Sequence, residues 1–172
     1  MDFKDLLVER YSVRDYDERP IEEEKLQKIL EAGRMAPTAV NFQPQRIFVL
    51  KSKEAVQKMR SVTRMAFNAP VILLVCYDKT VSWKADKYGD KYDVGEMDAS
   101  IVTSLMMMQA TELGIGSLWV RGYKTADIVE AFDLPEDMVP VCLLLLGYAS
   151  ENDKAKRKNT SRLPLEETVK EI

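Results

Sequence analysis

Val71-Ile72-Leu73-Leu74-Val75-Cys76-Tyr77 follows Pro70 without a single charged residue. A strand with one face in water alternates apolar and polar side chains. A run without that alternation predicts a central strand buried on both faces, which needs a covering layer on each side. Val141 to Leu146, closed by Gly147, reads the same way. Arg46 to Leu50 supplies a further strand, and Gly114 to Tyr123 runs from a helix end to a strand to a turn. The remaining apolar residues recur at helical spacing. Phe3, Leu6 and Leu7 place a short helix over Asp2 to Glu9. Leu26, Ile29, Leu30 and Gly33 place one from Pro20 to about Met35, with Glu22, Glu23 and Glu24 in its first turn, where acids suit the helix dipole. Lys53 to about Arg64 reads as a surface helix, and Thr125 caps a short helix to Phe132. Helices around a few central strands make an α+β fold. No repeat or linker divides residues 1–172, so one domain is expected.

The longest helix, Gly95 to Leu113, sets a second condition. Ala99, Ile101, Val102, Leu105, Met106, Met107, Met108, Ala110 and Leu113 go almost all round it. A helix apolar on every side must be buried on every side, and 172 residues have trouble covering one that fully. A homodimer with this helix at its interface solves the problem, and interface cores favour Met.

Composition narrows the function classes. Hydrophobic content is 46%, charged content 31% and net charge −3, with both signs interspersed. Nucleic-acid and membrane-surface binding need a basic patch, which this chain lacks. No apolar run approaches the ~20 residues of a membrane span. The start Met1-Asp2-Phe3-Lys4-Asp5 has no signal-peptide pattern, so a cytoplasmic protein is expected. Histidine is absent, which removes His-based triads, His-ligated zinc and His general acid–base catalysis. Cys76 and Cys142 sit in apolar runs as small hydrophobes, without metal spacing. No Gly-rich loop follows a strand, so neither a Rossmann nor a Walker site is present. Hard chemistry on this chain would fall to a cofactor.

Three stretches offer ligand chemistry. In Arg10-Tyr11-Ser12-Val13-Arg14, extended backbone puts Arg10, Ser12 and Arg14 on one face. Two guanidiniums flanking a hydroxyl make a cradle for an anion, most naturally a phosphate. In Ala36-Pro37-Thr38-Ala39-Val40-Asn41-Phe42-Gln43-Pro44, two prolines bracket a hydroxyl and two amides. Those groups suit a ligand with alternating donor and acceptor edges, or a turn that satisfies its own backbone. In Gly114 to Tyr123, Gly114 can end the long helix and Gly122 can let backbone approach a flat ligand. Asp78 to Val94 reads as a surface excursion holding Trp83, Tyr88 and Tyr92, and the tail from Ser150 is polar and basic.

Four stretches in this order resemble the nitroreductase family of flavin mononucleotide (FMN) enzymes. They are Arg10-x-Ser12-x-Arg14, Ala36-Pro37-Thr38-Ala39-x-Asn41-x-Gln43-Pro44, Leu113-Gly114-Ile115-Gly116-Ser117-x-Trp119, and Arg162-x-Pro164-Leu165-Glu166-Glu167. The resemblance implies a central mixed, mainly antiparallel sheet surrounded by helices, in a homodimer with two FMN sites at the interface. It implies a ping-pong cycle in which NADH or NADPH reduces the flavin and a small aromatic acceptor, such as a nitroaromatic or quinone, reoxidises it. Carried over by motif, Arg10, Ser12 and Arg162 would hold the FMN phosphate, with Tyr11 in the same stretch. Arg14 would reach the pyrimidine end of the ring. Pro37, Thr38 and Ala39 would come from the partner subunit, and Asn41 and Gln43 would bind the ribityl chain or ring edge. The turn Val120-Arg121-Gly122 would put a backbone N–H near flavin N5. No side chain is implied as a catalytic acid, and no metal.

Departures from the family pattern shape the expectation. Many relatives carry a basic residue two before the final Arg; here it is Thr160, with Lys158 as a substitute. The span between Tyr77 and Gly95 is short, which implies an open flavin face. Arg121 beside the N5 turn either favours anionic substrates or NADPH, or simply faces solvent. The alternative function is an FMN storage or flavin-handling module with little NAD(P)H turnover.

Overall fold

In a computed structural model of the chain, which describes residues 2–154 and 161–172, four strands form one antiparallel sheet in the order β1-β2-β4-β3. The strands are β1 (Gln45–Leu50), β2 (Val71–Asp78), β3 (Gly116–Val120) and β4 (Met138–Gly147). The helices are α1 (Phe3–Glu9), α2 (Glu23–Arg34), α3 (Lys53–Val62), α4 (Gly95–Glu112), α5 (Thr125–Ala131) and α6 (Leu165–Thr168). Among the described residues the mixed character is confined to one parallel bridge, where Ser12 of the N-terminal segment lies beside Ser117 of β3.

β2 is central and buried along Val71–Tyr77, as its unbroken apolar run requires. Val71, Val75 and Tyr77 face a core completed by Leu26 and Ile29 of α2 and Ala99, Val102 and Met106 of α4. Ile72, Leu74 and Cys76 face the opposite core, completed by Val56 and Met59 of α3 and Ile128 of α5. Helices therefore cover both sides of the sheet. The Cys76 and Cys142 thiols are free and buried, and burial pushes both up to about 12, far from a reactive thiolate at neutral pH.

Several boundaries differ from the sequence expectation, each for a local reason. α2 begins at Glu23 instead of at Pro20, because Glu22 stays extended at the N-cap. α3 is more than a surface helix: it seats Met59 at 0% exposure under the sheet, and it ends at Val62. Thr125 is the first residue of α5, not its cap; its hydroxyl accepts a hydrogen bond from Arg121 Nη2 at 3.2 Å. β4 starts at Met138, through Pro140. The register steps from Val75 opposite Cys142 to Cys76 opposite Pro140, a bulge that lets a residue without an N–H sit in the strand.

α4 spans Gly95–Glu112, and Gly114 follows with φ +73° as a left-handed helix terminator. Its inner face is packed. Its outer face is not: Met97, Ile101 and Leu105 remain 52%, 37% and 38% exposed. A groove of about 520 Å³ beside them is lined by Leu6, Ala32, Met35, Leu105 and Met108. One chain thus leaves uncovered the face that the sequence requires to be covered.

Candidate functional site

The N-terminal cradle is built along the β3 edge. After α1 the chain turns extended at Arg10, and Val13 N–H donates to Ser117 O at 3.0 Å. The alternation follows: Val13 is buried, with its methyl where any side chain on Gly116 would go, while Arg14 is exposed. Arg10 and Ser12 are half-buried. Arg14 Nη1 donates to Ser12 O at 3.0 Å, so guanidinium and backbone brace each other. Tyr16 locks the segment from below, its hydroxyl donating to Val13 O at 3.0 Å. Burial raises the Tyr16 hydroxyl well above its ordinary pKa, so it stays a proton donor.

Ser12 pairs in parallel with Ser117 near the start of β3, and by Tyr16 the segment has crossed to Ala149 past the end of β4, while a turn follows β3 at its other end. That turn is Val120-Arg121-Gly122-Tyr123. Thr63 Oγ1 donates to Gly122 O at 2.7 Å and accepts from Met65 N–H at 3.1 Å, fixing the turn from α3's side. Arg121 lies 4.6 Å over the Tyr123 ring and bonds Thr125, a held cation at an exposed rim. Cradle and turn thus lie toward opposite ends of the same edge strand.

The amide loop is elsewhere. It leads into β1, the opposite edge strand, and lies at the same end of the sheet as the 120–122 turn. Three strand spacings, roughly 14 Å, separate the two edges. Pro37, Thr38, Ala39, Asn41 and Gln43 therefore do not converge with Arg10, Ser12 and Arg14 within one chain. The loop has a shape of its own. Val40, Asn41 and Gln43 take φ of 46°, 58° and 52°, the left-handed region that non-glycine residues avoid. Each costs about 1 kcal/mol or more, Val40 most because it branches at Cβ. Thr38 Oγ1 accepts Gln43 N–H at 3.0 Å, and Gln43 Nε2 donates to Asn41 O at 3.2 Å. Part of the loop's polar complement therefore serves its own backbone.

Sequence reasoning missed Asp98. It sits in the first turns of α4, only 3% exposed, and its Oδ1 accepts Ala39 N–H at 2.9 Å. Desolvation raises its pKa above the ordinary carboxylate value, and the Ala39 bond partly offsets this. The signal was a lone acid between Met97 and Ala99 in an otherwise apolar face. Four buried polar atoms have no hydrogen-bond partner among the described residues: Gln45 Oε1, Asp98 Oδ2, Ser117 Oγ and Tyr123 OH. Gln45 and Ser117 lie on the two edge strands, Tyr123 follows β3, and Asp98 lies on α4 against the amide loop, as expected where a ligand or second chain completes the bonding.

In the tail, Arg162 Nη1 donates to Ser161 O at 2.8 Å and α6 is exposed throughout. Lys158 and Thr160 lie outside the described residues. Among the described residues no group of His, Cys, Asp and Glu is arranged to hold a metal ion, and no helix is long and apolar enough to cross a membrane.

Comparison with known proteins agrees with this layout. The Nitroreductase family model matches residues 7–67 and 62–148. A Methanothermobacter thermautotrophicus protein, provisionally named an NADH dehydrogenase/NAD(P)H nitroreductase, is 31% identical over 88% of this chain and 80% of its own. The Bacillus subtilis FMN reductase [NAD(P)H] is 28% identical over 93% of this chain and 69% of its own. The crystal structure of a nitroreductase family protein from Clostridium difficile 630 superposes with a TM-score of 0.91, at 41% identity, covering 99% of this chain and 98% of that one. With the family pattern running through both sheet edges and the helix between them, this chain belongs to the Nitroreductase family.

Proposed function

We propose that the protein is an FMN-dependent oxidoreductase that takes electrons from NADH or NADPH and passes them to a small aromatic acceptor. The observation that supports this is a split arrangement: the Arg10–Arg14 segment and the 120–122 turn flank β3, while the amide loop leads into β1 at the opposite sheet edge. The uncovered face of α4 points to a homodimer, in which the loop of one copy meets the cradle of the other. Each dimer then has two equivalent sites.

FMN, when bound, supplies reversible hydride acceptance at N5. The chain's own residues bind and orient it. Arg10 and Ser12, with Arg162, would hold the phosphate through charge-assisted hydrogen bonds. Arg14 would supply a fixed positive charge that favours the anionic reduced ring. The 120–122 turn, braced by Thr63, would offer backbone N–H groups to the ring. Thr38, Asn41 and Gln43, from a partner copy, would bind the ribityl chain or ring edge. Water supplies protons, consistent with a chain that has no histidine. The short 78–94 excursion leaves the flavin face open, and such a pocket accepts many flat molecules. Arg121, held at the rim, favours acceptors or donors that carry negative charge.

The test is the visible spectrum of the purified protein, followed by anaerobic addition of NADPH or NADH. A yellow protein that bleaches within seconds supports the proposal. A yellow protein that stays oxidised makes it a flavin-handling module. A colourless protein that does not take up added FMN overturns the flavin reading.

A further inference from the structure

The loop Thr38–Gln43 holds three non-glycine residues at positive φ, Val40 among them. Most of its bonds close the loop on itself: Asn41 N–H to Thr38 O, Phe42 N–H to Ala39 O, and Gln43 N–H to Thr38 Oγ1. A loop bonded only to itself has nothing to stop it relaxing out of a costly conformation. Among the described residues, two hydrogen bonds tie Thr38–Gln43 to other elements: Arg46 Nη1 of the adjoining β1 to Gln43 O at 3.0 Å, and Ala39 N–H to Asp98 Oδ1, 2.9 Å long and 59 residues apart in sequence.

Asp98 is itself well fixed. It is 3% exposed, and its backbone N–H donates to Val94 O at 2.9 Å as α4 begins. Two residues before α4, Asp93 Oδ1 accepts Gly95 N–H at 2.9 Å, and Gly95 abuts the Tyr77 ring closely enough that no side chain would fit. The start of α4 is thus tied to β2, and Asp98 extends that anchorage to the loop. Its second oxygen is buried without a partner among the described residues. A carboxylate placed there only for solubility or packing would not be buried with a backbone amide as its partner.

We infer that Asp98 is a positioning residue, whose carboxylate grips Ala39 N–H and holds the 38–43 loop in the strained shape that presents Thr38, Asn41 and Gln43 to the ligand. This rests on the flavin reading above, because that reading makes the loop part of the binding surface. Asp98 touches no reacting atom. Losing its grip lowers the fraction of loop that is ready to bind, and apparent affinity falls by the same factor.

The experiment uses the full chain, stripped of flavin, titrated with FMN and followed by quenching of flavin fluorescence. Alongside it, amide exchange at Ala39 and thermal melting of the flavin-free protein are recorded. Asp98→Ala removes the acceptor and should weaken FMN binding by about ten- to a hundredfold, the weight of a hydrogen bond to a charged group. Ala39 N–H should be protected in the wild type and exchange freely in Asp98→Ala. Asp98→Asn keeps an acceptor and sheds a buried charge. It should restore affinity to within about threefold of wild type, with the wild-type visible circular dichroism of bound FMN. A merely structural aspartate would shift the melting temperature in both variants without that split. Wild-type FMN affinity in Asp98→Ala overturns the inference, as does an Asp98→Asn variant as weak as Asp98→Ala. If Asp98→Ala does not fold, free exchange of Ala39 in the wild type overturns it and protection supports it. If the wild type fails to bind FMN, the flavin reading falls on its own. Ala39 exchange in the variants then still decides whether Asp98 holds the loop.

Discussion

If the homodimer proposed above forms through α4, Leu105→Glu should break it into monomers. Leu105 lies on the outer face of α4, still 38% exposed in one chain. Fully burying a leucine side chain is worth about 1.5–3 kcal/mol, so the fraction left to bury is worth about 0.6–1.1 kcal/mol. A two-fold interface counts it twice, giving about 1–2 kcal/mol. The substitution also brings two carboxylates to a seam lined by Met97 and Ile101. Each costs several kcal/mol unless it finds a partner. A total of at least about 5 kcal/mol weakens the dimer by about four orders of magnitude or more. Light scattering on a sizing column at micromolar protein reads it directly, with Leu105→Met as the volume-conserving control that stays dimeric. FMN affinity should collapse with the dimer, because the 38–43 loop then has no neighbouring cradle. A dimeric Leu105→Glu at micromolar concentration refutes the interface. A monomeric Leu105→Glu that binds FMN as the wild type does would keep the interface and refute the split site.

Arg14→Ala should weaken FMN binding by about ten- to a hundredfold and slow turnover, since it removes a charged donor beside the ring. Unchanged affinity and rate, by the same titration and a steady-state assay, would remove Arg14 from the site. Gly95→Ala puts a Cβ 2.1 Å from Tyr77 Cδ2, where the ring must move. Overpacking of this kind costs about 1–3 kcal/mol, or roughly 2–12 °C in melting temperature for a chain this long. Stability should also depend on acid through Glu22, whose pKa is lowered to about 2, first by the Tyr148 hydroxyl and then by backbone and Arg19. A depressed carboxylate adds stability above its ordinary pKa near 4.5 and loses it as pH falls from there toward 2. Tyr148→Phe keeps the ring under Arg19 but removes the hydrogen bond. Its melting deficit should be largest above pH 5 and close toward pH 2, and a deficit independent of pH would contradict this assignment.

The strands and the long helix were legible because burial imposes a pattern on them. An unbroken Val71–Tyr77 has no other stable home than a sheet interior, and an all-round apolar α4 has none without a partner. The alternation around Val13 was legible, with Val13 in and Arg14 out. The docking of this segment on β3 was not, because a parallel bridge between Ser12 and Ser117 leaves no mark on either sequence. Left-handed backbone at Val40 was equally hidden. Glycine advertises such a position, whereas a β-branched residue argues against it, and only the surrounding bonds hold it there. Pro140 misled in the opposite direction. It reads as a strand boundary, yet the bulge opposite Cys76 lets β4 begin before it. Met59 shows the limit of a helix read as surface: Lys53, Glu54, Gln57 and Lys58 dominate the composition, but one stripe decides the burial.

The parallel bridge between Ser12 and Ser117 also fixes an order of events during synthesis. Residues 10–14 leave the ribosome early, yet the strand they dock on is made roughly a hundred residues later. Among the four strands β3 pairs with β4 alone, which follows it. The 10–14 segment is therefore translated long before the strand pair it docks on. Until then Arg10 and Arg14 belong to an unstructured leader, and a flavin has nothing finished to bind. Uptake of the cofactor by a nascent or refolding chain would report that the final segment of the sheet has been laid down.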